Sequence, residues 1–252
     1  MKNRIYGEKV SIPQEVVKEF WTKRASMFAE KGISTVICGD QVAERALQET
    51  AFDRDHIIPK LGITKESRVL DIGCGVGRVA KMLLPQCGFY CGVDYTEEMI
   101  KVSETVCAQT KKEFPEAGEY ELHHLSFPET VQQKAGLLGG PFDVCVILGV
   151  CVYMNDEELE QSLRHLPDLM SDHAVLWFQE SVGLKERLTL DRFPSEALQT
   201  GYTSIYRTKE EYMELYAPLF KAGFSFVEEA PFPDFGNPYE DSGRWYGILK
   251  RG

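Results

Sequence analysis

The stretch VLDIGCGVGRVA, Val69 to Ala80, runs from a short apolar strand into a glycine-rich turn and on into a helix. Such a turn gathers backbone N–H groups at a helix N-terminus, where a polar or anionic ligand can be held. A turn that cradles a pyrophosphate has the spacing G-x-G-x-x-G. Here the glycines are Gly73, Gly75 and Gly77, and Arg78 stands where the third glycine of that pattern would fall. Asp71 precedes the turn. A fixed carboxylate there opposes a pyrophosphate and suits an ammonium or a hydroxyl. Further on, the strand FYCGV runs into Asp94, which can accept both hydroxyls of a ribose.

An acid, G-x-G-x-G, and a second acid at the end of the next strand together describe a ligand with three properties. It has an adenosine-like ribose, a cationic amino-acid end and no phosphate. S-adenosylmethionine (SAM) has those parts. At this point the sequence resembles the class I SAM-dependent methyltransferases. VLDIGCGVGRVA is similar to that family's first motif and CGVDYTEEMI to its second. FDVCVILGVCVYM resembles the strand that ends beside the transferred methyl. The resemblance covers about Ile57 to Glu180.

The resemblance implies a seven-stranded, mostly parallel, doubly wound α/β sheet, with SAM as cofactor and S-adenosylhomocysteine as product. It places Asp71, Gly73, Cys74 and Gly75 around the methionine end. Asp94 would hold the ribose, with Tyr95 beside the adenine and Met99 also among the cofactor-binding residues. Ser126 and Phe127 would meet the adenine edge, where many members carry Asp and this chain has LSF. Leu148 and Gly149 would line the methyl region. Each position also has an ordinary reading: turn glycines, a helix cap at Asp94, core packing at Phe127.

The pattern around these motifs agrees. From Arg68 to Gln179 apolar strands alternate with helices, which implies a parallel sheet covered on both faces. Residues 1–60 read as helical, with a capping box at Ser11–Gln14 and an amphipathic segment carrying Phe20, Trp21 and Arg24. This segment is either a lid over the cofactor or a helix simply packed on the sheet. A second helix is expected after Asp40, carrying Val42, Leu47 and Phe52. Asn155 with Glu158 reads as a further capping box, and so does Thr208 with Glu211. Residues 61–252 form the SAM-binding domain, with a polar, irregular insertion at about 181–207 after strand five, and the whole is expected as one compact unit.

Net charge is −11, with 39 acidic against 28 basic residues, so the chain repels polyanions and nucleic acid is a poor partner. No apolar run spans a bilayer, no export signal opens the sequence, and the scattered cysteines suggest reduced thiols. A cytoplasmic protein without a metal is expected, its oligomeric state open.

No decisive general base is visible. His123, Tyr153 and Glu180 are the catalytic candidates. Tyr202, Ser204, Tyr206 and Arg207 form the candidate acceptor wall, and Arg187 and Arg192 lie in the same insertion. A carboxylate acceptor needs no base, only placement by cations or hydrogen bonds. The Asn237-Pro238-Tyr239 stretch is short of the amino-methyltransferase motif and misplaced for it. The expected activity is methyl transfer to oxygen, hydroxyl or carboxylate, of a small metabolite, sugar derivative or short peptide. A non-catalytic SAM-binding scaffold and an RNA or protein methyltransferase are the alternatives.

Overall fold

The computed structural model describes residues 3–37, 43–195, 198, 200–236 and 239–252. Val42, Asn237 and Pro238 lie outside them. The central sheet is built from β2 (Arg68–Ile72), β3 (Phe89–Asp94), β4 (Glu119–His124), β5 (Phe142–Leu148), β6 (Met170–Gly183), β9 (Phe224–Pro231) and β10 (Ser242–Arg251). Its order is β4-β3-β2-β5-β6-β10-β9. The first five strands in that order run parallel, whereas β10 is antiparallel to both β6 and β9. This is the doubly wound α/β architecture that the resemblance implies.

The inner strands are nearly continuous apolar runs because both faces are covered. Alternate residues feed two separate cores. Leu70, Ile72, Val93 and Ile147 pack on one side of the sheet. Val69, Tyr90, Val146 and Trp177 pack on the other. Six cysteines, Cys74, Cys87, Cys91, Cys107, Cys145 and Cys151, are free and buried within this framework. No helix among the described residues is long and apolar enough to cross a membrane.

The insertion departs from expectation. The strands β7 (Leu188–Ser195) and β8 (Thr200–Tyr206) pair antiparallel, and β1 (Arg4–Tyr6) adds to β7 as a third antiparallel strand. The polar Asp191-Arg192 pair that makes this stretch look irregular sits where the register slips between Leu190 and Phe193. A bulge there leaves Arg192 at φ 48°, held by its N–H to Thr203 Oγ1 at 3.0 Å. The chain therefore opens on a strand before its helices, because β1 completes a sheet whose other strands lie far along the sequence.

Two capping boxes do not form. The helix Gln14–Ser26 starts after Pro13 with no side-chain cap, and Asn155 does not cap the helix Asp156–His165. Instead the Asn155 amide clasps Ile12: Ile12 N donates to Oδ1 at 2.8 Å, and Nδ2 donates to Ile12 O at 3.2 Å. Gln14 Nε2 adds a bond to Tyr153 O at 3.2 Å. The capping box of Thr208 and Glu211 does form, and an unforeseen one joins Ser126 and Glu129.

The clasp yields a first prediction. Asn155→Ala removes both bonds to a buried Ile12 backbone, a loss of about 1–2 kcal/mol. Urea unfolding should show that decrease, and limited proteolysis should show faster cutting before Gln14.

Candidate cofactor and active site

The end of β2 fixes the glycine turn. Gly73 and Cys74 both donate their N–H to Val93 O, at 2.8 and 3.0 Å. Gly73 has φ 74°, and a Cβ there would fall 2.3 Å from Val150 Cγ2, so only glycine lets the turn approach the loop after β5. Asp71 is 2% exposed and accepts a 2.6 Å hydrogen bond from Tyr90 Oη. Burial pushes its carboxyl up to about 7, against the pull of Tyr90 and Arg78. At the end of β3, Asp94 accepts from Gly75 N at 3.0 Å and Thr96 N at 2.8 Å. It therefore ties the turn to the next helix, and burial moves its carboxyl upward despite those bonds.

These groups open on one cavity of about 700 Å³. Among ligand sites of about 300–1,000 Å³ this is a large one. Asp71, Gly73, Cys74, Gly75 and Asp94 line it, as do Tyr95 and Met99. Leu148, Gly149, Phe127, Ser126 and Trp21 complete that side. Burial keeps the Cys74 thiol protonated, with its pKa well above the ordinary cysteine range. Ser126 lines the cavity, but its hydroxyl donates to Glu129 Oε2 at 2.7 Å and its N–H to the same oxygen at 2.8 Å. The hydroxyl serves the helix cap. Arg24 does not line the cavity. It is 2% exposed and holds the carbonyls of Thr35 and Ser34 at 2.8 and 2.7 Å.

The loop after β5 is clamped from both ends. Glu180, 1% exposed, accepts from Val150 N at 3.1 Å, Cys151 N at 2.9 Å and Val152 N at 3.3 Å. Arg207, fully buried, donates to Cys151 O and Met154 O, each at 2.7 Å, and pairs with Asp156 at 2.6 Å. Between these clamps Tyr153 is presented to the cavity. Its hydroxyl lies 2.6 Å from that of Tyr202, and its ring meets Trp21 edge-on at 5.2 Å.

Of the three catalytic candidates, Glu180 and Tyr153 line the cavity and His123 does not. His123 sits on β4 with Nε2 3.3 Å from Glu121. Of the acceptor wall, Tyr202 and Tyr206 line the cavity, while Ser204 and Arg207 are fully buried beneath it. Arg187 pairs with Asp156 and Glu211, and Arg192 with Asp191, so the insertion's arginines serve the fold. The cations of the cavity wall come from elsewhere: Arg4, Lys18, Arg45, Arg78 and Arg244. Arg78 bonds Asp53 at 2.7 Å. Arg45 and Glu49 stand four residues apart on one helix face, a spacing readable in sequence. Nothing near Arg244 in the sequence marks it.

The donor set fits SAM and opposes a pyrophosphate. Two carboxylates flank the turn, and the nearby Arg78 is already engaged by Asp53. Two buried polar atoms of cavity-lining residues, Tyr95 Oη and Gln179 Oε1, have no protein partner. Buried polar atoms of this kind mark a place for a polar ligand.

Comparisons with known proteins agree. Residues 70–176 match a family described as a methyltransferase domain. Magnesium protoporphyrin IX methyltransferase from Synechocystis PCC 6803, solved with bound S-adenosylhomocysteine, is 17% identical, with 95% of this chain and 99% of that one covered at a TM-score of 0.64. Phosphoethanolamine N-methyltransferase 1 of Haemonchus contortus is 15% identical, covering 94% of this chain and 48% of that one at 0.67. A Leishmania major SAM-dependent methyltransferase is 18% identical, covering 91% and 82% at 0.60. No curated protein matches in sequence. The fold is that of the class I methyltransferases, and residues 70–176 are similar in sequence to a methyltransferase-domain family.

Two outcomes test the clamp. Arg207→Met strands two buried carbonyls and leaves Asp156 with Arg187 alone, and should cost about 3 kcal/mol in urea unfolding. The Glu180 carboxyl is lifted by burial to about 7, against about 4.3 in an unfolded chain. Between those values the folded state holds the extra proton, so this group's contribution to stability falls as pH rises through that window. Relative to Glu180→Gln, the parent should lose stability from about pH 5 to about pH 7, read as a shift between the two urea midpoints.

Proposed function

We propose that this methyltransferase domain uses SAM to methylate oxygen on a small metabolite, sugar derivative or short peptide. The observation that carries this reading is one continuous cavity. It joins the Asp71–Asp94 end to a chamber walled by Leu188, Leu190, Phe193, Tyr202 and Tyr206 of the second sheet. When bound, SAM supplies a methyl group already activated on a sulfonium, so the protein's task is placement and exclusion of water.

Each wall has a part in that task. Asp94 keeps lone pairs beyond its two backbone bonds, enough to accept ribose hydroxyls, and the unpartnered Tyr95 hydroxyl lies next to it in the chain. Asp71 lines the cavity at the glycine turn, where the ammonium of an amino-acid end would meet it. The clamped loop from Gly149 to Tyr153 fixes the floor at the methyl region. The Gln14–Ser26 helix puts Gln14, Lys18 and Trp21 into the cavity wall, which suits a lid that keeps water out.

Acceptor chemistry follows from the same walls. No histidine is among the described cavity-lining residues, and Glu180 gives its oxygens to three N–H groups. A carboxylate acceptor arrives ionised and needs no base, so this wall suits it best among oxygen acceptors.

The test is transfer of tritiated methyl from SAM into host-cell extract, followed by separation by size and treatment with mild base. Label in the low-mass fraction that base removes is the expected result. Label in protein or RNA would overturn the acceptor class. Asp94→Asn should weaken S-adenosylhomocysteine binding at least about tenfold, a loss of about 1.4 kcal/mol measurable by calorimetry. Tight binding without transfer in any fraction would assign a scaffold.

A further inference from the structure

One charge cluster in the cavity wall is not used by the reading above. Arg45, Glu49 and Asp53 follow one another at four-residue spacing, so they share a helical face. Glu49 is 1% exposed, and its Oε1 lies 2.8 Å from Arg45 Nε and 2.5 Å from Arg244 Nη1. Arg244 enters from the start of β10, directly opposite Ser181 of β6. Ser181 follows Glu180, so the cluster stands on the same rim as the clamped loop. Arg45, Glu49 and Arg244 all line the cavity.

The charges do not balance. Two guanidinium groups share one carboxylate oxygen, while Arg78 and Asp53 close on each other. Burial pushes the Glu49 carboxyl up, and Arg244 and Arg45 outweigh it, so it stays ionised. One positive charge remains in the wall. The Arg45 and Arg244 side chains keep 18% and 22% of their surface exposed, with N–H groups beyond those given to Glu49. The other Glu49 oxygen, Oε2, is buried and has no partner. Guanidinium N–H groups match a carboxylate, and a bare carboxylate oxygen matches a hydroxyl or amine donor.

We propose that Arg45, Glu49 and Arg244 seat a carboxylate headgroup with an adjacent hydrogen-bond donor, carried on an aromatic or apolar acceptor. The body of that molecule fills the chamber of Leu190, Phe193, Tyr202 and Tyr206. The proposal rests on the reading that cofactor and acceptor share this cavity. It makes the three residues determinants of specificity, and it selects anionic over neutral molecules of the same shape.

The experiment titrates the full chain, saturated with S-adenosylhomocysteine, with mandelate and with mandelamide. Both carry the hydroxyl and the ring, and only mandelate carries the charge. Mandelate should bind at least about tenfold more tightly. Arg244→Gln and Arg45→Gln should each erase most of that preference while leaving S-adenosylhomocysteine affinity within about twofold, and Arg244→Lys should retain part of it. Melting of each variant guards against a folding defect, and the second arginine variant stands if the first does not fold. Equal binding, no binding, or a preference intact in both variants would overturn the seat. Loss of S-adenosylhomocysteine affinity in step with the arginines would also overturn it, because the cluster would then serve the cofactor. If the parent itself fails to bind S-adenosylhomocysteine, the methyltransferase reading falls, and the same two titrations on the chain alone still judge the seat.

Discussion

The cavity depends on how the loop after β5 is held. A seven-residue stretch from Gly149 to Asn155 turns through the interior with few partners of its own, and a buried backbone polar group is expensive unless it is bonded. Glu180 takes the N–H groups of Val150, Cys151 and Val152, and Arg207 takes the carbonyls of Cys151 and Met154. The two side chains come from opposite ends of the insertion, the last part of β6 and the end of β8. The β7–β8 pair between them is thereby locked to the central sheet. Glu180 and Arg207 both look like site residues in sequence because they are charged and lie near the rim. Their burial shows that they act on the loop, and through it on Tyr153.

The same loop recruits the N-terminus. Asn155 closes it and clasps Ile12, and Gln14 bonds Tyr153 O. Phe20 and Trp21 then pack edge-on against Tyr202 and Tyr153, at 5.6 and 5.2 Å between ring centres. Ile12, Val17, Trp21 and Ala25 bury their apolar surface with Val76 of the glycine turn, Met99 and Ile205. One small apolar cluster thus connects the N-terminal helix, the cofactor turn and the second sheet.

Electrostatics divide the cavity. At the glycine turn two buried carboxylates, Asp71 and Asp94, face the interior, and burial drives both upward in pKa. Such groups gain from a cationic or hydroxylated ligand, which offsets the desolvation that folding imposes on them. Beside the Arg78–Asp53 pair, Arg45 and Arg244 outnumber Glu49. A chain of net charge −11 therefore carries a locally positive wall, which bulk charge alone would not reveal.

Much of the fold was legible in the sequence. Asp71, the glycines at 73, 75 and 77, and Asp94 lie within one strand–helix–strand unit of the chain and serve one turn and two strand ends, so local order carries their geometry. The capping box at Thr208 is local for the same reason. The failures share one cause. Ser204, Arg207 and Arg24 have the chemical type of site residues yet are buried, and chemical type does not say which side of a strand or turn is buried. Asn155 has the right residue for a helix cap, yet a distant backbone segment competes for its amide and wins. The second sheet joins Arg4–Tyr6 to strands more than 180 residues away, and the Arg45–Glu49–Arg244 cluster spans almost 200. The sequence by itself determined the parallel sheet and the cofactor turn, because hydrophobic period and glycine conformation act over a few neighbours. Only the tertiary structure decided the loop clamp, the Asn155–Ile12 clasp and the Arg45–Glu49–Arg244 cluster, because each forms between groups that chain folding alone brings into contact.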